Sequence, residues 1–194
     1  MIYVFIVLSY FLGTLPSAIV IARSKGVDIM SVGSGNPGAS NVTRALGAKY
    51  GALVFLLDAA KGAIPAVLGL AANGDAGAYI CATAAILGHM FPITRKFRGG
   101  KGIATGAGMM LIMHWYVLVY LLVSWLLIAK LTKKASVGSI LLVPTVPIVL
   151  WAIGTPAWEI LTIIGIGLLI EIKHLPNIKR LLSGKEPPVT DASS

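Results

Sequence analysis

The chain has 194 residues, 57% of them hydrophobic, with a mean hydropathy of +0.88, 12% charged residues and a net charge of +9. A soluble domain has about a quarter of its residues charged, so this composition excludes a disordered tail, a nucleic-acid module built on a basic surface and an ordinary cytosolic enzyme. It describes an integral membrane protein.

A bilayer core of about 30 Å needs about 20 apolar residues to cross it. Seven apolar segments follow in chain order: 2–22, 51–71, 76–93, 102–114, 115–130, 137–153 and 156–172. The first has no basic n-region and no small-residue cleavage site after it, so it reads as a retained span rather than a signal peptide. The fourth is short, and His114-Trp115-Tyr116 reads as an interfacial turn between the fourth and fifth, its aromatic pair at headgroup level. A re-entrant fourth segment would leave five or six spans. The one cysteine, Cys81, lies in an apolar run and has no partner for an internal disulfide or a metal cluster.

Of the 16 Lys and Arg, 15 fall within residues 23–49, 95–101, 130–134 and 173–185. With seven spans these stretches share one side, and the short connections at Asn73-Gly74-Asp75, His114 and Gly154 share the other. The positive-inside rule then puts the N-terminus outside and the C-terminus in the cytoplasm. The predicted fold is an all-α, polytopic membrane helix bundle of seven transmembrane helices, one domain over residues 1–194. Residues 181–194, with Gly184, Pro187 and Pro188, are expected to be an exposed, poorly ordered tail. Lys61 and Asp58, three apart inside the second span, share a helix face and read first as a structural pair, with a direct role in the site as the alternative.

Polar chemistry collects in the basic loops. The run Gly33-Ser34-Gly35-Asn36-Pro37-Gly38-Ala39-Ser40-Asn41 is followed by Arg44. It matches G-x-G-x-x-G, but a membrane span rather than a strand precedes it, which excludes a dinucleotide fold. Glycines that let backbone N–H groups converge, with Ser and Asn donors beside them, make an anion nest. The second patch runs from Gly88-His89 to Arg95-Lys96-Phe97-Arg98-Gly99-Gly100-Lys101-Gly102. It suits phosphate capture at a helix N-terminus but is not a Walker A loop. Arg95 and Lys96 read as membrane-surface anchors, Lys101 as functional, and His89 as either a helix-end hydrogen-bonding group or a site residue. The third patch joins Ala135-Ser136-Val137-Gly138-Ser139 to His174-Leu175-Pro176-Asn177. Ser139 is either an N-cap or a phosphate donor, and Pro176 is expected to bend the helix between His174 and Asn177. Neither a carboxylate pair nor a G-x-S-x-G elbow is present. An anion site at the cytoplasmic lipid boundary fits an enzyme. A transporter of a phosphorylated metabolite, the alternative, would keep its site near the midplane between inverted repeats.

The runs GSGNPGASNVTRALG, GHMFPITRKFRGGKGIATG, ASVGS and HLPNIKRLLSGKE closely resemble the bacterial acyl-phosphate:glycerol-3-phosphate acyltransferases, in the same order over nearly the whole chain. The resemblance implies a bacterial plasma-membrane enzyme with seven spans and its motifs facing the cytoplasm. Its reaction would pass an acyl group from acyl phosphate to the sn-1 hydroxyl of glycerol 3-phosphate, giving lysophosphatidic acid and phosphate in the first step of phospholipid synthesis. It implies no metal and no cofactor. Implied partners are the two substrates, the lipid bilayer and an enzyme that supplies acyl phosphate, with no nucleic acid. The family's phosphate-binding positions fall on Ser34, Asn36, Asn41, Arg44, Lys101, Ser139, His174 and Asn177. We expect catalytic roles for Ser34, Arg44, Lys101 and His174, and substrate binding by Gly35, Asn36, Asn41, Ser139 and Asn177. Ser34, the glycine nest and Lys101 would hold the acyl phosphate, and Arg44, Ser139, His174 and Asn177 would hold glycerol 3-phosphate, or the reverse. The base is either His174 or a phosphate oxygen of the donor. Leu175 and Pro176 depart from the Arg and Glu common in the family. The His-x4-Asp pattern of the other large class of glycerophosphate acyltransferases is absent: Thr94, Val119 and Lys179 stand five residues after the three histidines.

Overall fold

The computed structural model describes residues 1–189, and every regular element among them is helical. They fall into two compact units, Met1–Trp115 and Tyr116–Val189. The division falls at the start of the least buried of the long apolar helices.

The first unit begins with α1 (Ile2–Gly13) and α2 (Ser17–Arg23), which together form the candidate span Ile2–Arg23 where the sequence places its first span, with a break inside it. Pro16 explains the break, since it has no N–H to continue the ladder. α3 (Ala39–Leu46) follows the glycine-rich loop, and α4 (Ala48–Met90) spans 43 residues. α4 is not straight. Asn73 and Gly74 leave helical geometry, Gly74 at a φ of +60°, which an L side chain adopts only with strain. Beyond that point the chain turns back on itself, because a methyl group placed on Gly69 would collide with the Gly77 carbonyl oxygen. The reversal sits where the sequence places a connection between two segments. A 3-10 turn at Ile93–Arg95 leads to α5 (Ile103–Met113), which at 11 residues reaches only about 16 Å.

Small residues bring these helices into backbone contact, as in membrane bundles generally. A Cβ on Gly62 would strike the Thr105 carbonyl, one on Gly108 the Ala59 carbonyl, and one on Gly13 the Ala85 carbonyl. A second cluster of Ala18, Ala22, Ile29, Val42 and Val54 seats the glycine-rich loop and α3 against α4. Large apolar side chains such as Leu8, Leu56 and Val67 face outward, where lipid would cover them.

The second unit contains α6 (Trp115–Thr132, from its second residue on), α7 (Ala135–Leu142), α8 (Thr145–Ala152) and α9 (Ala157–Leu182). α7 and α8, which cover the expected sixth span, are bent by 42° beside Pro144. α9 stays helical past residue 172 and through Pro176. The expected tail is also corrected as far as Val189. Glu186 is buried, and the Val189 N–H donates to the Lys133 carbonyl at 2.8 Å. Residues 190–194 lie outside the described residues. By length and composition Ile2–Arg23, Ala48–Arg95 and Trp115–Thr132 are candidate spans, and the bent α7–α8 pair makes a fourth.

The Gly62 contact with Thr105 generates a test. Gly62→Val should lower stability by about 1–3 kcal/mol through overpacking, seen as a lower thermal unfolding midpoint in detergent. Gly106→Ala, which meets open space, should not lower it.

Candidate active site

The glycine-rich stretch forms a tight turn ahead of α3. Gly33 and Gly35 hold φ values of +57° and +65°, and a Cβ on Gly33 would run into the Asn41 side chain. Asn41, in the first turn of α3, is 2% exposed. Its Oδ1 accepts the Ser34 N–H at 2.9 Å and an Arg44 Nη1–H at 3.0 Å. Its Nδ2 donates to the carbonyls of Ile29 at 3.1 Å and Val32 at 3.0 Å. An amide offers two donors and two acceptor lone pairs, and all four are engaged. Asn41, expected to bind substrate, also shapes the loop and aims Ser34 and Arg44. The side chains of Ser34 and Asn36 are half-buried and make no hydrogen bond among the described residues.

The second patch is bound to the body of its unit. The Tyr10 hydroxyl donates to the Phe91 carbonyl at 2.8 Å and accepts the Ile93 N–H at 3.1 Å. Arg95 Nη2 donates to the Thr14 carbonyl at 3.3 Å, and its Nε is buried. This corrects the sequence expectation for Arg95. Its guanidinium turns inward to a broken helix end instead of anchoring on lipid headgroups. Lys96 is exposed. His89 is 6% exposed, and its carbonyl accepts the Gly100 N–H at 3.1 Å. Lys101, half-buried, follows directly and precedes the N-terminus of α5. Lys61 donates to Asp58 and to the Leu15 carbonyl, which is the structural pairing read first from their spacing.

In the second unit the His174 Nδ1–H donates to the Ile170 carbonyl at 2.9 Å, because a carbonyl can only accept. That bond leaves the neutral ring's lone pair on Nε2. Ser139 accepts from Trp125 Nε1 at 3.2 Å. Asn177 Nδ2 donates to Glu186 Oε1 at 2.6 Å, and the same carboxylate takes Ser136 Oγ at 2.7 Å and Arg180 Nε at 2.8 Å. Sequence reasoning missed Glu186. Its signal was a lone acid closing a basic run, nine residues after Asn177, and it reaches back only because the chain turns at Gly184 (φ +69°). The Asn41 amide thus gathers Ser34 and Arg44, and the Glu186 carboxylate gathers Asn177, Ser136 and Arg180. Among the described residues no three His, Cys, Asp or Glu side chains converge as metal ligands would.

The family model for glycerol-3-phosphate acyltransferase matches residues 3–184. The chain belongs to the glycerol-3-phosphate acyltransferase family. It is 42% identical over 183 residues to the glycerol-3-phosphate acyltransferase of Aquifex aeolicus, covering 93% of this chain and 95% of that protein. It is 38% identical over 178 residues to that of Nitrobacter winogradskyi, covering 91% and 90%. The crystal structure of PlsY (YgiH), an integral membrane glycerol 3-phosphate acyltransferase in its glycerol 3-phosphate form, superposes with a TM-score of 0.91 at 40% identity, over 96% of this chain and 94% of that one. The lysophosphatidic acid form of PlsY gives a TM-score of 0.89 at 39% identity over the same shares. Membership in a family of membrane acyltransferases accounts for so apolar a chain keeping two hydrogen-bonded polar clusters.

Burial by itself would raise the Glu186 carboxyl. Hydrogen bonds from Ser136, Asn177 and Arg180, with the charge on Arg180, outweigh burial and hold it below its ordinary value of 4.5. A lowered folded value means stability that is full above the ordinary value and is lost as pH falls through the folded one. Unfolding midpoints measured from pH 7 downward should therefore drop below about pH 4.5 in the native chain. Glu186→Gln should flatten that acid limb and cost about 1–3 kcal/mol at neutral pH. The lower end applies if solvent screening at Arg180, whose side chain is 29% exposed, dominates.

Proposed function

We propose that the chain transfers an acyl group from acyl phosphate to the sn-1 hydroxyl of glycerol 3-phosphate, releasing 1-acyl-glycerol 3-phosphate and phosphate. The acceptor and product are supported by relatives whose structures are glycerol 3-phosphate and lysophosphatidic acid forms. The acyl-phosphate donor rests on the motif resemblance and on the chemistry of the site. The observation that carries the reading is the Asn41-organised loop, which presents the Ser34 hydroxyl and the Arg44 guanidinium beside a turn with two left-handed glycines.

In the reaction the sn-1 oxygen attacks the acyl carbonyl carbon, a new C–O bond forms, and the bond from that carbon to the phosphate oxygen breaks. Phosphate is already a good leaving group. The work of the protein is to hold two anions close and neutralise developing charge. We assign the phosphate contacts to Ser34, Gly35, Asn36, Arg44 and Lys101 in the first unit and to Ser139, His174 and Asn177 in the second. The hydroxyl proton passes to His174 Nε2 or to an oxygen of the departing phosphate. Cationic side chains supply the charge that a metal supplies elsewhere, so the reaction proceeds without one. The acyl chain stays in the bilayer, and an enzyme that makes acyl phosphate is the protein partner.

We further propose seven crossings, with the N-terminus outside and the loops that carry these residues facing the cytoplasm at a bacterial plasma membrane. The reversal at Asn73–Gly74 and the one-sided basic residues support that count and orientation. The test is purified chain in lipid with palmitoyl phosphate, glycerol 3-phosphate and a chelator. Steady release of phosphate with lysophosphatidic acid is expected, and turnover with acyl-CoA alone would overturn the donor. Lys101→Ala and Arg44→Ala should each lower kcat/KM by about 100-fold or more at unchanged expression. No turnover together with uptake of glycerol 3-phosphate into sealed vesicles would instead indicate a transporter.

A further inference from the structure

Among the titratable groups buried or half-buried in the first unit, Asp58, Lys61, His89 and Arg95 have no part in the reaction just described. Two of them have a clear structural task. The break between α1 and α2 releases carbonyls, and Lys61 donates to that of Leu15 while Arg95 donates to that of Thr14. Asp58 balances Lys61. His89 stands between Asp58 and the loop that carries Lys101.

The surroundings of His89 define its task. One edge of the imidazole faces Asp58, with Nδ1 4.0 Å from Oδ1, beyond a hydrogen bond but within reach of charge. The other edge faces the loop, because a Cβ on Gly100 would run into Nε2. The His89 carbonyl takes the Gly100 N–H, and a methyl on Gly99 would collide with that same carbonyl. At its far end the loop is held to α1 through Tyr10 and Arg95. The loop is therefore fastened on both sides of its tip, and Gly100 is covalently joined to Lys101. Any shift of the ring moves the Lys101 backbone.

We infer that His89 is a positioning residue for Lys101, its ring seated between Asp58 and Gly100 so as to set where the lysine ammonium stands. This rests on the reading of Lys101 as a phosphate-holding residue. A ring that only packed the helix end would affect stability and leave the affinity of Lys101 for an anion unchanged.

The experiment uses the full chain in lipid. Acetylation of the Lys101 amine is followed by mass spectrometry against rising inorganic phosphate, alongside kcat, KM and the melting temperature. In the native chain phosphate should protect Lys101. His89→Ala should need several-fold more phosphate for the same protection and lose about tenfold or more in kcat. Gly100→Ala, which presses a methyl group on the ring from the loop side, should do likewise and decides the matter if His89→Ala fails to fold. A folded variant that lowers only the melting temperature, with protection as in the native chain, would overturn the inference. Absence of protection in the native chain would remove the phosphate reading of Lys101 itself, and the inference with it, before any variant is compared.

Discussion

Inside a bilayer no water is at hand, so a carbonyl freed from a helix must find a donor within the protein. The first apolar stretch of this chain breaks at Thr14–Pro16 and creates that need. Lys61 and Arg95 meet it from α4 and from the loop beyond it. Two cations at such a depth need a counter-charge, and Asp58, one turn before Lys61, provides it. The consequence reaches the site. Arg95 cannot serve the break without drawing residues 91–100 down onto α1 and α4, which fixes the base of the loop that carries Lys101.

The two polar clusters solve a similar problem by similar means. Asn41 binds through all four of its hydrogen-bonding positions and so dictates the path of residues 29–34 while orienting Arg44. Glu186 collects Ser136, Asn177 and Arg180 and joins the end of α9 to the start of α7. Neither residue is replaceable by one of similar size: an Asp at 41 would lose both donors, and a Gln at 186 would lose the charge facing Arg180. Fully satisfied networks hold one geometry, and catalysis by positioning depends on one geometry.

Much of this could be read from the sequence. Hydropathy located the apolar segments, and Asn73-Gly74 marked a reversal because few other pairs tolerate a left-handed residue there. Gly33 and Gly35 announced a sharp polar turn for the same reason. What escaped was long-range or depended on one residue's partner. Pro16 was visible, but nothing local tells that Lys61 and Arg95 would attend the carbonyls it sets loose. Arg95 looked like a surface anchor because four cations stand close together, and only its fold partner reveals that it points inward. Glu186 lay in a stretch rich in Gly and Pro that reads as loose, and its burial depends on a turn that brings it back to Asn177. Pro176 signalled a break, yet α9 continues because its side chains on either side, Ile170, His174 and Asn177, are buried along one face.

The fate of the acids ties these features to the chemistry. The proposed site, for two phosphate-bearing substrates, would be weakened by any nearby uncompensated carboxylate, since its field opposes theirs. In this chain Asp58 is matched by Lys61, and Glu186 by Arg180. Asn41, which aligns Arg44, is a neutral amide, so that bond leaves the guanidinium's charge intact. Structural roles that a soluble enzyme commonly gives to surface carboxylates fall here to amides, hydroxyls and glycine backbone. With a net charge of +9, and with Asp58 and Glu186 each paired to a cation, the chain keeps an electrostatic bias toward anions. In the proposed reaction, a leaving group as good as phosphate would need that bias more than a strong base.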